Sequence, residues 1–331
     1  MGAHVFYADS SLGVITDSLG NFEILFRKNA PLVIAFIGMQ SDTLLLSNQS
    51  PIAVVLLPGA ELKEVEVVSR KATTEVSLLN PIKVEQISEG ELEKAACCNL
   101  SESFETIPSV DVGFSDAVTG TRQITMLGLT SPNIQITREN IPHIRGLSSL
   151  YGLTYVPGAW VEGMQLNKGA GSVVNGYESI AGQINVEMRK PETADPLYLN
   201  LYVNEGGRTE ANVVAAKRWS KWSTAVFLHA KQNQLKHDRN ADGFLDMPLS
   251  EHFIAMNRWK YASEGPWRIQ LGTKLTLLDN RGGELDFDFD RPDDNGQGWG
   301  MRMETKRYEA WMKAGRLFEY IPWRSVGFQA A

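Results

Sequence analysis

The chain has 331 residues, 43% of them apolar and 21% charged, which is the balance of folded protein and not of disorder. Its net charge of -7, with no Lys/Arg cluster, excludes nucleic acid as a partner, because phosphate neutralisation needs a basic surface. Every apolar run breaks well short of the ~18 residues a helical membrane span requires, an exclusion that does not extend to the short alternating strands of a barrel.

In chain order, residues 1–58 read as short strands at 3–7, 13–16, 21–26, 32–37, 43–46 and 52–57. Polar turns such as Asp17-Ser-Leu-Gly20 separate them, a spacing that predicts a small β-sandwich. The first residues, Met1 to Tyr7, carry neither the basic nor the apolar region of a signal peptide. Residues 59–80 change character. Leu62, Glu64, Val65, Val67 and Val68 fall in an alternating stretch followed by a Ser/Thr-rich connector. Such a segment is either an edge strand with its linker or an extended strand offered to a partner's sheet.

Residues 81–192 mix helix and strand and predict an α+β unit. A capping-box spacing at Ser88-Glu-Gly-Glu91 opens a helix expected to run through Cys98, and a second short helix follows at 100–106. Cys97 and Cys98 are the only cysteines, and adjacent Cα atoms about 3.8 Å apart are too close for a relaxed disulfide. They are expected as small buried helix residues, with a thiol site for a soft metal or a redox pair as the alternative. Lys168-Gly-Ala-Gly-Ser-Val-Val-Asn-Gly176 has the glycines of a phosphate loop but not its Gly-Lys-Ser/Thr ending, so it reads as a structural turn.

From 193 onward the chain becomes a series of alternating segments at 197–205, 209–219, 223–233, 253–262, 267–277 and 303–314, with a seventh starting near 318. In the clearest, Trp267, Ile269, Leu271, Thr273, Leu275 and Leu277 share one face, and Arg268, Gln270, Lys274 and Thr276 the other. Tight turns alternate with long acidic connections at 234–252 and 280–302, and Trp222, Trp267 and Trp311 lie near strand ends like an aromatic girdle. Short turns on one side and long loops on the other predict an antiparallel transmembrane barrel, with a soluble sandwich as the rival architecture. In the first long loop Asp238, Asn240, Asp242, Phe244 and Asp246 occupy positions 1, 3, 5, 7 and 9 of an EF-type loop with Gly243 at 6. Position 12 is Leu249 and not Glu. Ca2+ is the one cofactor the sequence raises, and none is required. No His begins an HExxH pattern and no nucleophile–base spacing is recognisable, so nothing argues for an enzyme.

Three stretches carry a resemblance to known families. The segment Gly13-Val-Ile-Thr-Asp-Ser-Leu-Gly-Asn-Phe22 is similar to the carboxypeptidase-regulatory-like Ig-type domain, in which a further strand precedes the equivalent of Gly2 to Val5. The stretches from Asn99 to Val112 and Thr121 to Leu129 resemble the opening of a TonB-dependent receptor plug, and Trp160 to Val186 resembles its end. The combination looks like an outer-membrane transporter of the Bacteroidota type. It implies a truncated sandwich at 1–58, a linker with a TonB box at 59–80, a plug at 81–192 and the first seven or so strands of a barrel at 193–331. Such barrels close with about 22 strands around the plug.

The resemblance further implies partners and a place. TonB and its inner-membrane energising complex would act on Leu62 to Val68, lipid would surround the barrel, and the N-terminal domain and plug would face the periplasm of a Gram-negative cell. The imported solute would be a metal chelate such as a siderophore, or second an oligosaccharide. His143, Arg145, Tyr151 and Tyr155 lie where related plugs turn toward incoming ligand. The stretch Ile134-Gln-Ile-Thr-Arg-Glu-Asn-Ile-Pro-His143 departs from the usual plug strand, so siderophore contacts do not carry over. A secreted, calcium-stabilised β-rich binding protein is the rival outside this class.

Overall fold

Period-two burial organises nearly every strand of this protein, and what each face meets decides the architecture. The computed structural model describes residues 2–8, 13–36, 39–57, 74–77, 84–94, 99–105, 107–115, 120–171, 173, 176–262, 265–291, 298–318 and 324–331. They fall into two units, Met1–Arg70 and Lys71–Ala331. Leu62 to Val68, Cys97 and Cys98 lie outside the described residues.

In the first unit, β1 (His4–Tyr7), β2 (Gly13–Ile15), β3 (Pro31–Ala35) and β4 (Asp42–Leu45) form an antiparallel sheet in the order β2-β1-β3-β4. Val5, Tyr7, Leu32 and Ile34 point to one side and make its core. The expected strands at 21–26 and 52–57 are not regular strands. Phe22, Ile24, Ile52, Val54 and Leu56 pack on the core, yet neither segment belongs to a strand ladder. Alternation reports which face is buried and is silent on whether the backbone has a neighbour, which is why the sequence overstated the sandwich.

The second unit opens with β5 (Thr74–Ser77), β6 (Val84–Ser88), α1 (Glu89–Lys94) and α2 (Leu100–Ser103). Asn99 caps α2, its Oδ1 accepting from Ser101 N at 2.9 Å and Glu102 N at 3.4 Å. Strands β7 (Asp111–Phe114), β8 (Arg122–Met126) and β9 (Leu129–Thr130) make a small sheet. After β10 (Ile134–Arg138), β11 (Ile141–Ile144) and α3 (Ser148–Tyr151) come β12 (Val161–Lys168) and β13 (Gly182–Met188). The main sheet runs β11-β10-β13-β12-β6-β5, with only β10 and β13 parallel, so the strands nearest the N-terminus lie at its edge.

The remaining strands are β14 (Leu197–Val203), β15 (Thr209–Arg218), β16 (Trp222–Asn233), β17 (Leu249–Ala262), β18 (Trp267–Gly283), β19 (Gly300–Leu317) and β20 (Ser325–Ala330). Each pairs antiparallel with the next to form one seven-stranded wall. The wall's inner face packs on the plug through Val214, Ala225, Phe227, Ile254 and Met256, and Trp160 of the plug meets Phe227 at 5.5 Å between ring centroids. Its outer face leaves Leu199, Leu201, Val226, Leu228, Phe253 and Leu271 exposed, the pattern of a lipid-facing surface. The expected strand at 267–277 extends to Gly283, making 17 residues. At about 3.3 Å per residue and a 45° tilt such a strand climbs roughly 40 Å, past the ~30 Å hydrocarbon core.

Trp219, Trp222, Trp259 and Tyr261 gather at the short-turn end, with Trp219 and Trp259 stacked at 6.0 Å and Trp222 5.0 Å from Tyr261. Trp267 is exposed at the same end. Trp311 corrects the expectation: it lies on the inner face, buried, with the Arg138 guanidinium 3.9 Å from its ring centroid. Its odd-numbered position on β19 shares the face of Arg307 and Glu309, so register places it against the plug and not in a girdle.

The close approach at Trp311 depends on Gly272, opposite it in the register. A Cβ at Gly272 would lie 2.3 Å from a Trp311 ring carbon. Gly272→Ala in the full-length protein should therefore displace the indole and cost about 1–3 kcal/mol, read as a lower denaturation midpoint in detergent together with a shifted tryptophan emission.

Candidate functional site at the plug and wall interface

The β10–β11 hairpin turns through Glu139 and Asn140, whose φ values of 49° and 64° are both left-handed, as a two-residue hairpin turn of the primed type requires. Asn185 on β13 fixes it. Its Oδ1 accepts from Asn140 N at 2.8 Å and from Thr137 Oγ1 at 2.9 Å. This local brace aims Glu139 at the wall, where Arg258 of β17 meets its carboxylate with two nitrogens at 2.7 and 2.8 Å. Arg258 also donates to Arg189 O at 3.2 Å, and Lys313 of β19 donates to Glu139 O.

The wall grips the plug again at the end of the hairpin and in the segment that follows it. Lys274 of β18 donates to Tyr155 O at 2.6 Å and stands 3.7 Å from Glu309 Oε2. Arg307 of β19 donates to Ser148 Oγ at 2.8 Å and to His143 O at 3.1 Å. His143 Nε2 lies 3.2 Å from Glu309 Oε1. Burial draws the His143 pKa from its ordinary 6.5 down to about 3, with Arg138 and Lys274 adding to the effect and Glu309 opposing it, so the ring is neutral. Burial also lowers Arg138, to about 10, leaving it cationic against Trp311. Wall charges that cannot reach water are thus matched to plug carboxylates and plug carbonyls.

The outer half of the interface is arranged differently. His229 bonds Asn212 at 2.8 Å and His252 bonds Asn280 at 2.9 Å, each pair lying wholly within the wall. Arg208, at the start of β15, pairs with Glu102 of α2 at 2.9 Å. Between α2, β8 and the wall a partly open cavity of about 70 Å³ remains, lined by Asn99, Glu102, Arg208, Ser250, His252 and Asn280 among others. Above it the two long loops pair through Phe244 and Glu284, with Leu245 N to Gly283 O and Leu285 N to Gly243 O both at 2.9 Å.

These positions revise the sequence expectations. His143 and Tyr155 are buried between plug and wall and do not present side chains to an incoming solute. Arg145 remains accessible, paired with Glu178 at 2.6 Å, and Tyr151 is half-buried. In the loop at 238–246 Asp238 accepts from Asp242 N and Gly243 N, Asp242 from Phe244 N, and Asp246 from Arg239 N. Among the described residues no group of three or more His, Cys, Asp or Glu is placed to hold a metal ion. Sequence reasoning missed Arg258, Lys274, Arg307 and Glu309 as a set. The available signal was their common inward register, since charges on a face that packs against protein must have partners there.

The second unit thus seats a small α+β domain on the inner face of a seven-stranded antiparallel wall. Residues 78–183 match the TonB-dependent Receptor Plug Domain. The solved structures that resemble the chain include FpvA of P. aeruginosa bound to heterologous pyoverdines (12% identity, 74% of this chain and 33% of that one, TM-score 0.58). The copper transporter OprC matches at 14% identity over 76% of this chain and 36% of that one, with a TM-score of 0.55. The ferric yersiniabactin uptake receptor FyuA from Yersinia pestis matches at 15% over 72% of this chain and 39% of that one, also at 0.55. No curated protein matches the sequence. The chain spans between a third and two fifths of the length of these three receptors, and at such identities they share its fold.

Two outcomes test the interface. Arg258→Ala leaves Glu139 buried without its fork and should cost about 3–5 kcal/mol of plug docking, seen as earlier loss of plug protection from protease in urea. His143 is neutral when folded and binds a proton on unfolding at any pH between its two pKa values. Docking stability is therefore full above about pH 6.5 and falls progressively toward pH 3. His143→Gln should flatten that acid limb of the unfolding midpoint; an unchanged pH profile would remove His143 as its source.

Proposed function

We propose that this chain is the N-terminal part of a TonB-dependent receptor that imports a scarce solute across the outer membrane. The observation that carries the reading is the plug itself, held against the wall by the buried Glu139–Arg258 ion pair and matched by the plug family over residues 78–183. A plug that closes a pore is useful only if something moves it. Leu62, Glu64, Val65, Val67 and Val68 precede β5, the edge strand of the plug sheet, and are the segment proposed to pair with TonB as an added strand. The proton gradient would act through the inner-membrane complex, so the chain needs no nucleotide site.

Metal chelates are the leading substrate class. Support comes from relatives described as a pyoverdine-bound receptor, a copper transporter and a ferric yersiniabactin uptake receptor. The loop segments that pair through Phe244 and Glu284, with exposed Phe244 and Trp299, are proposed as the first contact for the solute, together with Arg145 and Tyr151 of the plug. The carboxypeptidase-regulatory-like assignment of the first unit belongs to the same proposal and rests on its sequence resemblance. Deleting residues 62–68 in the full-length receptor should abolish energised uptake while leaving binding of the solute to cells intact; uptake at the parent rate would sink the TonB assignment.

A further inference from the structure

The outward face of the wall changes character along its height. At the long-loop end Glu251, Asp279 and Glu304 stand among Arg281, Arg302 and Lys306, and these charges cancel locally: Asp279 pairs with Arg281 at 2.6 Å and Arg302 at 2.9 Å, and Glu304 with Lys306 at 3.3 Å. From that rim to the short-turn end, the outward positions of the described strand residues carry no acidic side chain. They do carry cations. Lys217 lies 5.4 Å from the Trp219 ring, Arg316 lies 5.7 Å from the Trp267 ring, and exposed Lys221 occupies the tight turn that Trp219 N closes on Trp222 O at 2.7 Å. Among the described residues neither lysine has an ion pair.

The side chains beside Lys217 set its depth in the membrane. Register aligns Lys217 with Thr224 and Trp259 across β15, β16 and β17. Trp259 Nε1 donates to Asn257 Oδ1 at 2.6 Å, Asn257 Nδ2 to Thr224 Oγ1 at 3.3 Å, and Thr224 Oγ1 to Arg258 O at 3.0 Å. Indole, amide and hydroxyl thus satisfy one another, and only the lysine still lacks a counter-charge. Further up the same face, outward-facing Ala215, Val226, Leu228 and Phe253 are apolar and exposed. The cations therefore sit where an apolar track meets the cluster of Trp219, Trp222, Trp259 and Tyr261, at the level of lipid headgroups.

We infer that the outward face of β15–β17 at the short-turn end binds an anionic phospholipid, its phosphate taken by Lys217 and Lys221 and its acyl chains lying along Ala215, Val226 and Leu228. Charge selects this occupant. A headgroup with net negative charge supplies what the two lysines lack, whereas a zwitterionic one brings a cation of its own to an acid-free surface. Short turns lie on the periplasmic side of such barrels, so the lipid belongs to the inner leaflet. The inference rests on the membrane-spanning reading of the wall and not on the TonB segment.

The test uses the full-length receptor in a Cys97→Ser/Cys98→Ser background with any further cysteines also replaced. Ala215→Cys carries an NBD fluorophore two residues from Lys217, and Phe253→Cys carries one toward the long-loop end, both at outward positions. The receptor is placed in nanodiscs of phosphatidylcholine that contain a fixed fraction of nitroxide-labelled phosphatidylglycerol or of nitroxide-labelled phosphatidylcholine with the same chains. Quenching then reports which lipid lies against each position. The expected result at Ala215→Cys is a preference for phosphatidylglycerol on the order of tenfold, falling to within about twofold of parity in Lys217→Gln/Lys221→Gln and in high salt. At Phe253→Cys, beside the self-neutralised rim, the two lipids should quench alike. Both lysines are exposed, and retained folding of the double variant is checked by the heat-dependent gel mobility of the barrel. Parity at Ala215→Cys, a preference that survives loss of both lysines, or an equal preference at both positions overturns the inference. Quenching by neither lipid would place this face outside the bilayer, and the membrane-spanning reading of the wall would fall with it.

Discussion

The structure turns on one electrostatic constraint. The inner face of the wall carries Arg258 and Lys274 at positions that water barely reaches, with Arg307 and Glu309 half-buried beside them, and a buried charge is tolerable only with a partner held in good geometry. The plug supplies most of those partners, and Glu309 of the wall itself stands beside Lys274 and Arg307. Glu139 is delivered by a left-handed hairpin turn that Asn185 braces, and the carbonyls of His143 and Tyr155 accept from Arg307 and Lys274. Plug position is in this way specified by charge matching, where an apolar interface would tolerate sliding.

The outer face of the same strands solves the opposite problem. Each wall residue alternates between a plug-facing and a lipid-facing side, so a single strand such as β18 presents Lys274 inward and Leu271 outward three residues apart. The ladder satisfies the backbone and the lipid-facing side chains need only be apolar. The tryptophan group at the short-turn end, with Lys217 5.4 Å from the Trp219 ring, marks where hydrocarbon gives way to headgroups. Beyond the membrane the long strands carry the loops outward, and the pairing of Phe244 with Glu284 ties two of them into one surface.

Within the plug, topology separates what is held from what is free to move. The parallel pair β10 and β13 sits beside the hairpin that grips the wall, whereas β5 and β6 lie at the far edge of the sheet and nearest the N-terminus. The N-terminal strands can thus be peeled without breaking the central ones, while the ion pairs resist displacement of the hairpin.

The alternating segments from 197 onward were legible in the sequence because a period of two needs only local information, and it gave seven strands and the inward face of β18 correctly. The plug was legible at its two ends, where its residues resemble a family. Alternation overstated the first unit, where segments 21–26 and 52–57 bury one face without entering a ladder, and it misplaced Trp311, whose neighbours lie across the interface. The sequence by itself determined which side chains of each strand share a face and hence the class of fold. Only the tertiary structure decided that Arg258 meets Glu139 and that His143 is buried against Glu309, because a face assignment carries no information about what packs on it. Those partners come from segments more than a hundred residues apart in the chain.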